Sequence, residues 1–93
     1  MSIRITHIRL ADGVRDHEHI SDVRWTSLSD GGHGESSRSS VVAWIDGEGG
    51  KAFVGSDGAR VRVDTVHPAF GPAYLRTEAD GVWTNNLLQL EEF

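Results

Sequence analysis

The chain has no cysteine, which excludes disulfides, thiolate metal sites and cysteine nucleophiles. It has two prolines, Pro68 and Pro72, so both fall in one short stretch and leave the rest of the backbone free to pair. It has one lysine, Lys51, against eight arginines. With a formal charge of −5 the chain lacks the basic field that a general phosphate-backbone binder needs, which argues against nucleic acid as a partner. No apolar run approaches the roughly 20 residues required to span a bilayer, so no membrane partner is expected. The start, Met1-Ser-Ile-Arg-Ile, runs into strand-like alternation and carries no signal-peptide pattern, so the expected location is the cytoplasm.

What is present suits one small folded domain over 1–93. Of its 93 residues 38% are apolar, and three tryptophans and three phenylalanines provide anchors for a core of modest size. Ile3 to Leu10 reads as a strand in which Ile3 and Ile5 take one face and Ile8 and Leu10 the other. The change of phase near His7 suggests a bulge, or a strand covered on both faces along part of its length. Ile20 to Leu28 alternates as a half-buried antiparallel strand, with Val23 and Trp25 inward. Ser29 to Ser40 is low in complexity and rich in Gly and Ser, and predicts a mobile surface loop. Val41 to Ile45 is short, β-branched and aromatic, and predicts a buried strand hairpinned through Asp46–Gly50 to Lys51–Val54. Arg60 to Val66 alternates with Val61 and Val63 inward. His67 to Pro72 is a connector, with Phe70 expected against the side of the core.

Asp80-Gly81 between two β-capable runs is the clearest hairpin signal in the chain. A two-residue loop pairs Ala79 with Val82, Glu78 with Trp83, Arg76 with Asn85 and Tyr74 with Leu87. Tyr74, Arg76, Glu78, Trp83 and Asn85 then share one face. That face mixes aromatics with charge and amide, so it is the candidate binding surface. Its structural alternative is that Arg76 pairs with a nearby carboxylate and the asparagines satisfy loop backbone. After it, Asn85 or Asn86 can cap a short helical turn carrying Leu87, Leu88, Leu90 and Phe93 onto the core. The fold class expected is therefore all-β: a small barrel or twisted antiparallel sheet of five to seven strands, with a short C-terminal helical turn.

Catalytic and cofactor chemistry find little footing. His17 and His19 stand at i, i+2 and would share a side of an extended segment. With His7 or His33 as a third donor a zinc site is conceivable, but two histidines in a polar loop are common, so they are weak metal candidates. Asp12, Asp16, Glu18 and Asp22 form one acidic run, not a pair held across a cleft. Ser36, Ser37, Ser39 and Ser40 have no local base, and neither glycine run is a phosphate loop. No cofactor is called for.

Three segments together carry a resemblance. They are Tyr74-Leu-Arg-Thr with Ala79-Asp-Gly and Trp83-Thr-Asn-Asn-Leu-Leu, Ile5-Thr-His-Ile-Arg-Leu10, and Val42-Ala-Trp-Ile45. In this pattern the chain resembles a family of small uncharacterised prokaryotic domains of unknown function, over nearly its whole length. Glu91 stands where that family's ending has a proline. The resemblance implies a small β-rich fold and carries no activity. The functional expectation is a non-catalytic binding or interaction module for a protein partner or a second copy of itself. The alternative is a small-ligand or hydrolytic pocket using Arg76, Asn85 and a histidine.

Overall fold

A computed structural model describes residues 2–55, 60–79, 82–84 and 86–93. In chain order these form β1 (Ser2–Leu10), β2 (Ile20–Ser27), β3 (His33–Ser37), α1 (Arg38–Glu48), β4 (Lys51–Val54), β5 (Val61–Val66), β6 (Tyr74–Ala79), β7 (Val82–Thr84) and β8 (Glu91–Glu92). Single 3-10 turns occupy Ala11–Gly13, His17–His19 and Asn86–Gln89. Seven strands make one open sheet in the order β3-β2-β1-β4-β5-β6-β7, and β8 pairs with β1 beside that path. The chain is strand-rich as expected, but the sheet is mixed. β1 runs parallel to β4, with Ile3 opposite Ala52, and parallel to β8, with His7 opposite Glu91. Among the described residues no helix is long and apolar enough to cross a membrane.

The bulge in β1 decides where the core sits. Ile5 lies opposite Trp25 and His7 opposite Arg24, which leaves Thr6 as the extra residue. Its hydroxyl donates to the Arg24 carbonyl at 3.2 Å. One inserted residue restores phase, so Ile8 and Leu10 join Ile3 and Ile5 in the core instead of facing away. Val23, Val54, Val63, Leu75 and Leu87 complete that face, and Val41 and Ile45 of α1 pack onto it.

The stretch Val41–Ile45 is helix, not strand. A short apolar run does not distinguish the two by itself; here the ends do. The Ser37 hydroxyl accepts from the Ser40 N–H at 3.2 Å, an N-cap, and Gly49 closes the helix in the left-handed conformation at φ 68°. Val41 and Ile45, four apart, then share one buried face. The parallel pairing of β1 with β4 requires a crossover, and α1 lies in that connection. The expected hairpin at Asp46–Gly50 is thus a helix C-terminus. The Gly/Ser stretch 29–40 is likewise not one loop, since it contains β3 and the first turn of α1.

At the other end, β6 and β7 pair as the hairpin predicts, with Ala79 opposite Val82 and Glu78 opposite Trp83. Asp80, Gly81 and Asn85 lie outside the described residues, and with them the expected Arg76–Asn85 pair. The expected Tyr74–Leu87 pair does not form, because Leu87 has left the strand for the 3-10 turn, where it is fully buried; on its other edge Tyr74 pairs with Val66 of β5. Phe70 is 93% exposed and plugs nothing. Phe93 also stays out of the core. The guanidinium groups of Arg9 and Arg24 each lie 4.5 Å from its ring centre, a cation–π grip, and its N–H donates to the Ile8 carbonyl at 3.1 Å.

Candidate functional site

An apolar recess lies between α1 and the β3 end of the sheet, and two glycines hold its walls. Trp25 on β2 is opposite Gly34 on β3. A methyl group at Gly34 would stand 2.8 Å from Trp25 Cζ2, so the indole lies across β3 only because residue 34 has no side chain. The Trp25 Nε1–H donates to the Ser36 hydroxyl at 3.0 Å, which fixes the ring. On the helix side, Trp44 rests on the backbone of Gly50, where a methyl would overlap the indole. The Gly50 N–H donates to the Trp44 carbonyl at 3.2 Å, so helix end and ring are tied together.

Between these rings is a cleft of about 230 Å³ lined by Ile3, Trp25, Ser36, Ser40, Val41 and Trp44. Both indoles are only partly buried, each packed against the core on one side. The lining has no ionisable side chain. Its two hydroxyls are engaged within the protein, Ser36 with Trp25 and Ser40 with Ser37 at 2.9 Å. Typical small-molecule pockets occupy roughly 300–1,000 Å³. This one is smaller and suits a single apolar group in contact with the two indoles.

The residues singled out from sequence lie elsewhere. Tyr74, Arg76 and Glu78 are half-buried on β6, at alternate positions as expected. Asp64 is opposite Arg76, and Arg62 is opposite Glu78, so β5 offers each charge a cross-strand partner of opposite sign. Trp83 sits across from Glu78 in register. His17 and His19 are on one 3-10 turn, not an extended segment, so the i, i+2 spacing does not put them side by side. Among the described residues no group of three or more His, Asp or Glu could hold a metal ion.

His17 is nevertheless unusual. It is 7% exposed, and its Nε2 is buried without a hydrogen-bond partner. Burial pushes its pKa below the ordinary value, the Arg76 charge pushes the same way, and Asp16 opposes them. The fold therefore brings a histidine within electrostatic reach of Arg76, although the two are far apart in sequence. His19 Nδ1 is also buried and unpartnered. Two members of the acidic run are engaged locally: the Asp16 carboxylate accepts from the Glu18 N–H at 3.2 Å, and Asp22 lies 3.8 Å from Arg9.

The Trp25–Trp44 cleft was not legible in sequence. Trp25 and Trp44 read as core residues, and Gly34, Ser36 and Ser40 as loop. The available signal was a glycine two residues before a serine, facing a strand tryptophan, and it becomes meaningful only once the β2–β3 register is known. In comparison with family models, residues 4–91 match the one described as protein of unknown function (DUF3892). Comparison with curated proteins and with solved structures finds no match.

Proposed function

The chain belongs to the DUF3892 family of proteins of unknown function, and from that premise we propose that it is a non-catalytic interaction module. It holds an apolar side chain of a protein partner between Trp25 and Trp44. The observation that carries this reading is the lining of the cleft: two partly buried indoles, aliphatic Ile3 and Val41, and two hydroxyls already hydrogen-bonded. Such a surface recognises shape and apolar area, and offers neither a nucleophile with a base nor a charge to polarise a substrate. The proposed setting is the cytoplasm, where the module serves as an accessory to a larger protein.

Filling the cleft tests this. Ser40 is exposed on the first turn of α1, so Ser40→Phe places a ring at the cleft without disturbing the core. Affinity capture from native lysate with mass spectrometry should recover a partner with the wild type and lose it with Ser40→Phe, at an unchanged melting temperature. Equal recovery by both would overturn the reading.

A second reading is favoured by His17. Its unpartnered Nε2 and the nearby charge of Arg76 suit the binding of a small anionic ligand beside Arg76 on β6. Perturbation of the His17 ring signals by a panel of small carboxylates and phosphates, abolished in Arg76→Gln, is the expected result. Unmoved ring signals would dismiss it.

A further inference from the structure

We propose that the open edge of β3 receives an extended segment of the partner as an added strand, with an apolar residue entering the Trp25–Trp44 cleft and a lysine or arginine opposite Glu35. This rests on the cleft being the binding site and goes further, naming the conformation and chemistry of what binds.

β3 ends the sheet. β2 pairs with one side of it, and among the described residues no strand pairs with the other. The phase of its hydrogen bonds follows from β2. The Ser27 N–H donates to the Gly32 carbonyl, while the Leu28 N–H donates to Ser2 of β1 and the Arg24 carbonyl also faces β1. Backbone groups of β2 therefore point to β3 at 27, 25 and 23, and to β1 at the residues between. Trp25 and Val23 are opposite Gly34 and Ser36, so these two β3 residues spend their N–H and C=O groups on β2. His33 and Glu35 direct theirs outward, while Ser37, the N-cap of α1, gives its carbonyl to the first turn of the helix. The edge is five residues long, about 17 Å, enough for a short peptide strand.

Side chains alternate the other way. Gly34 and Ser36 share the face of Trp25, and Ser36 lines the cleft. A residue of the incoming strand opposite Ser36 projects to that same face, toward the two indoles. Its neighbours fall opposite Glu35 and Ser37, on the face that holds Asp22 and Arg24. Glu35 is bound to Arg24 at 2.8 Å but keeps 53% of its side chain exposed. A second copy of the chain pairing antiparallel about the centre of β3 would set Glu35 against Glu35, a like-charge pair that disfavours self-association. A basic residue there is complementary, and the net charge of −5 attracts a basic segment from a distance.

The test uses the intact chain and two probes. One is the capped heptapeptide Ser-Lys-Phe-Lys-Val-Lys-Ser, which alternates basic and apolar residues. The other is N-acetyl-phenylalanine amide, which can enter the cleft but cannot add as a strand. Binding is read from the indole N–H signals of Trp25 and Trp44. Both probes should shift those signals. Methylating the backbone nitrogens of the peptide that face β3 should weaken it about tenfold or more, the loss expected from one or two hydrogen bonds. Replacing its lysines with glutamates should do the same. Glu35→Pro removes an outward N–H without touching the β2 ladder, and should weaken the heptapeptide while leaving the amide unaffected. If the amide binds but the heptapeptide does not, or the methylated peptide binds as well as the parent, strand addition is overturned and the cleft reading survives. If neither probe moves the indole signals, both fall.

Discussion

Three glycines within four residues at the end of α1 should respond to alanine in three different ways. Gly47 lies in the helix with nothing within 4 Å of an added methyl. There Gly47→Ala only removes backbone freedom from the unfolded chain, and should stabilise by about 0.5–1 kcal/mol. Gly49 also has room, but its φ is 68°. Gly49→Ala keeps the space and strains the backbone, costing about 1 kcal/mol. At Gly50 the conformation is ordinary and the space is absent, because the methyl would reach Trp44 Cε3 at 2.5 Å and overlap the rest of the ring. Normal contact begins near 3.5 Å. The indole must therefore move by about 1 Å or more, against the helix that carries it, at a cost of about 1–3 kcal/mol. For a domain of this size each kcal/mol shifts the melting temperature by roughly 4–8 °C. Thermal unfolding followed by circular dichroism should rank Gly47→Ala above wild type, wild type above Gly49→Ala, and Gly50→Ala at or below the last. Tryptophan emission should change only in Gly50→Ala, since only there does a ring move. If Gly50→Ala melts with the wild type and leaves the emission unchanged, Trp44 does not rest on Gly50, and the wall of the cleft has been misassigned.

Two further outcomes concern residues that the fold placed unexpectedly. Burial, aided by Arg76, keeps the folded-state pKa of His17 below its unfolded value of 6.5. Its contribution to stability is therefore complete above pH 6.5 and declines as pH falls through the lowered folded value, because the unfolded chain takes up the proton first. His17→Phe should lose less stability than wild type between neutral pH and pH 5 in denaturant titrations. An equal loss would show that other groups carry the pH dependence. Phe70 is almost fully exposed, so Phe70→Ser should leave stability within about 0.5 kcal/mol. A fall of several degrees in melting temperature would restore it to the core.

Where alternation met an unambiguous turn, sequence and structure agree closely. Asp80-Gly81 specified the register of β6 against β7, including Glu78 opposite Trp83. The phase change at His7 announced the bulge that the β1–β2 register contains. The short turn Asn86–Gln89 with Leu87 inward was readable from the leucine cluster and its preceding asparagines. Candidate-site residues fared differently. Tyr74, Arg76 and Glu78 share a face as expected, but β5 sets Asp64 and Arg62 across from the charges, and no local pattern foretold that.

By itself, then, the sequence determined the strand-rich class, the phase within most strands and the terminal hairpin. These depend on neighbours along the chain, through period-two alternation and turn chemistry. Only the tertiary structure decided that Val41–Ile45 is helix, that β1 is flanked by parallel β4 and β8, and that a Gly/Ser segment is an edge strand. An apolar run of five residues satisfies a strand or a helix equally, and the choice fell to caps at Ser37 and Gly49 and to a crossover that parallel pairing demands. The candidate cleft belongs wholly to this second kind of information. Its walls come from β1, β2, β3 and α1, and its two indoles sit where they do because Gly34 and Gly50, far apart in sequence, leave room for them.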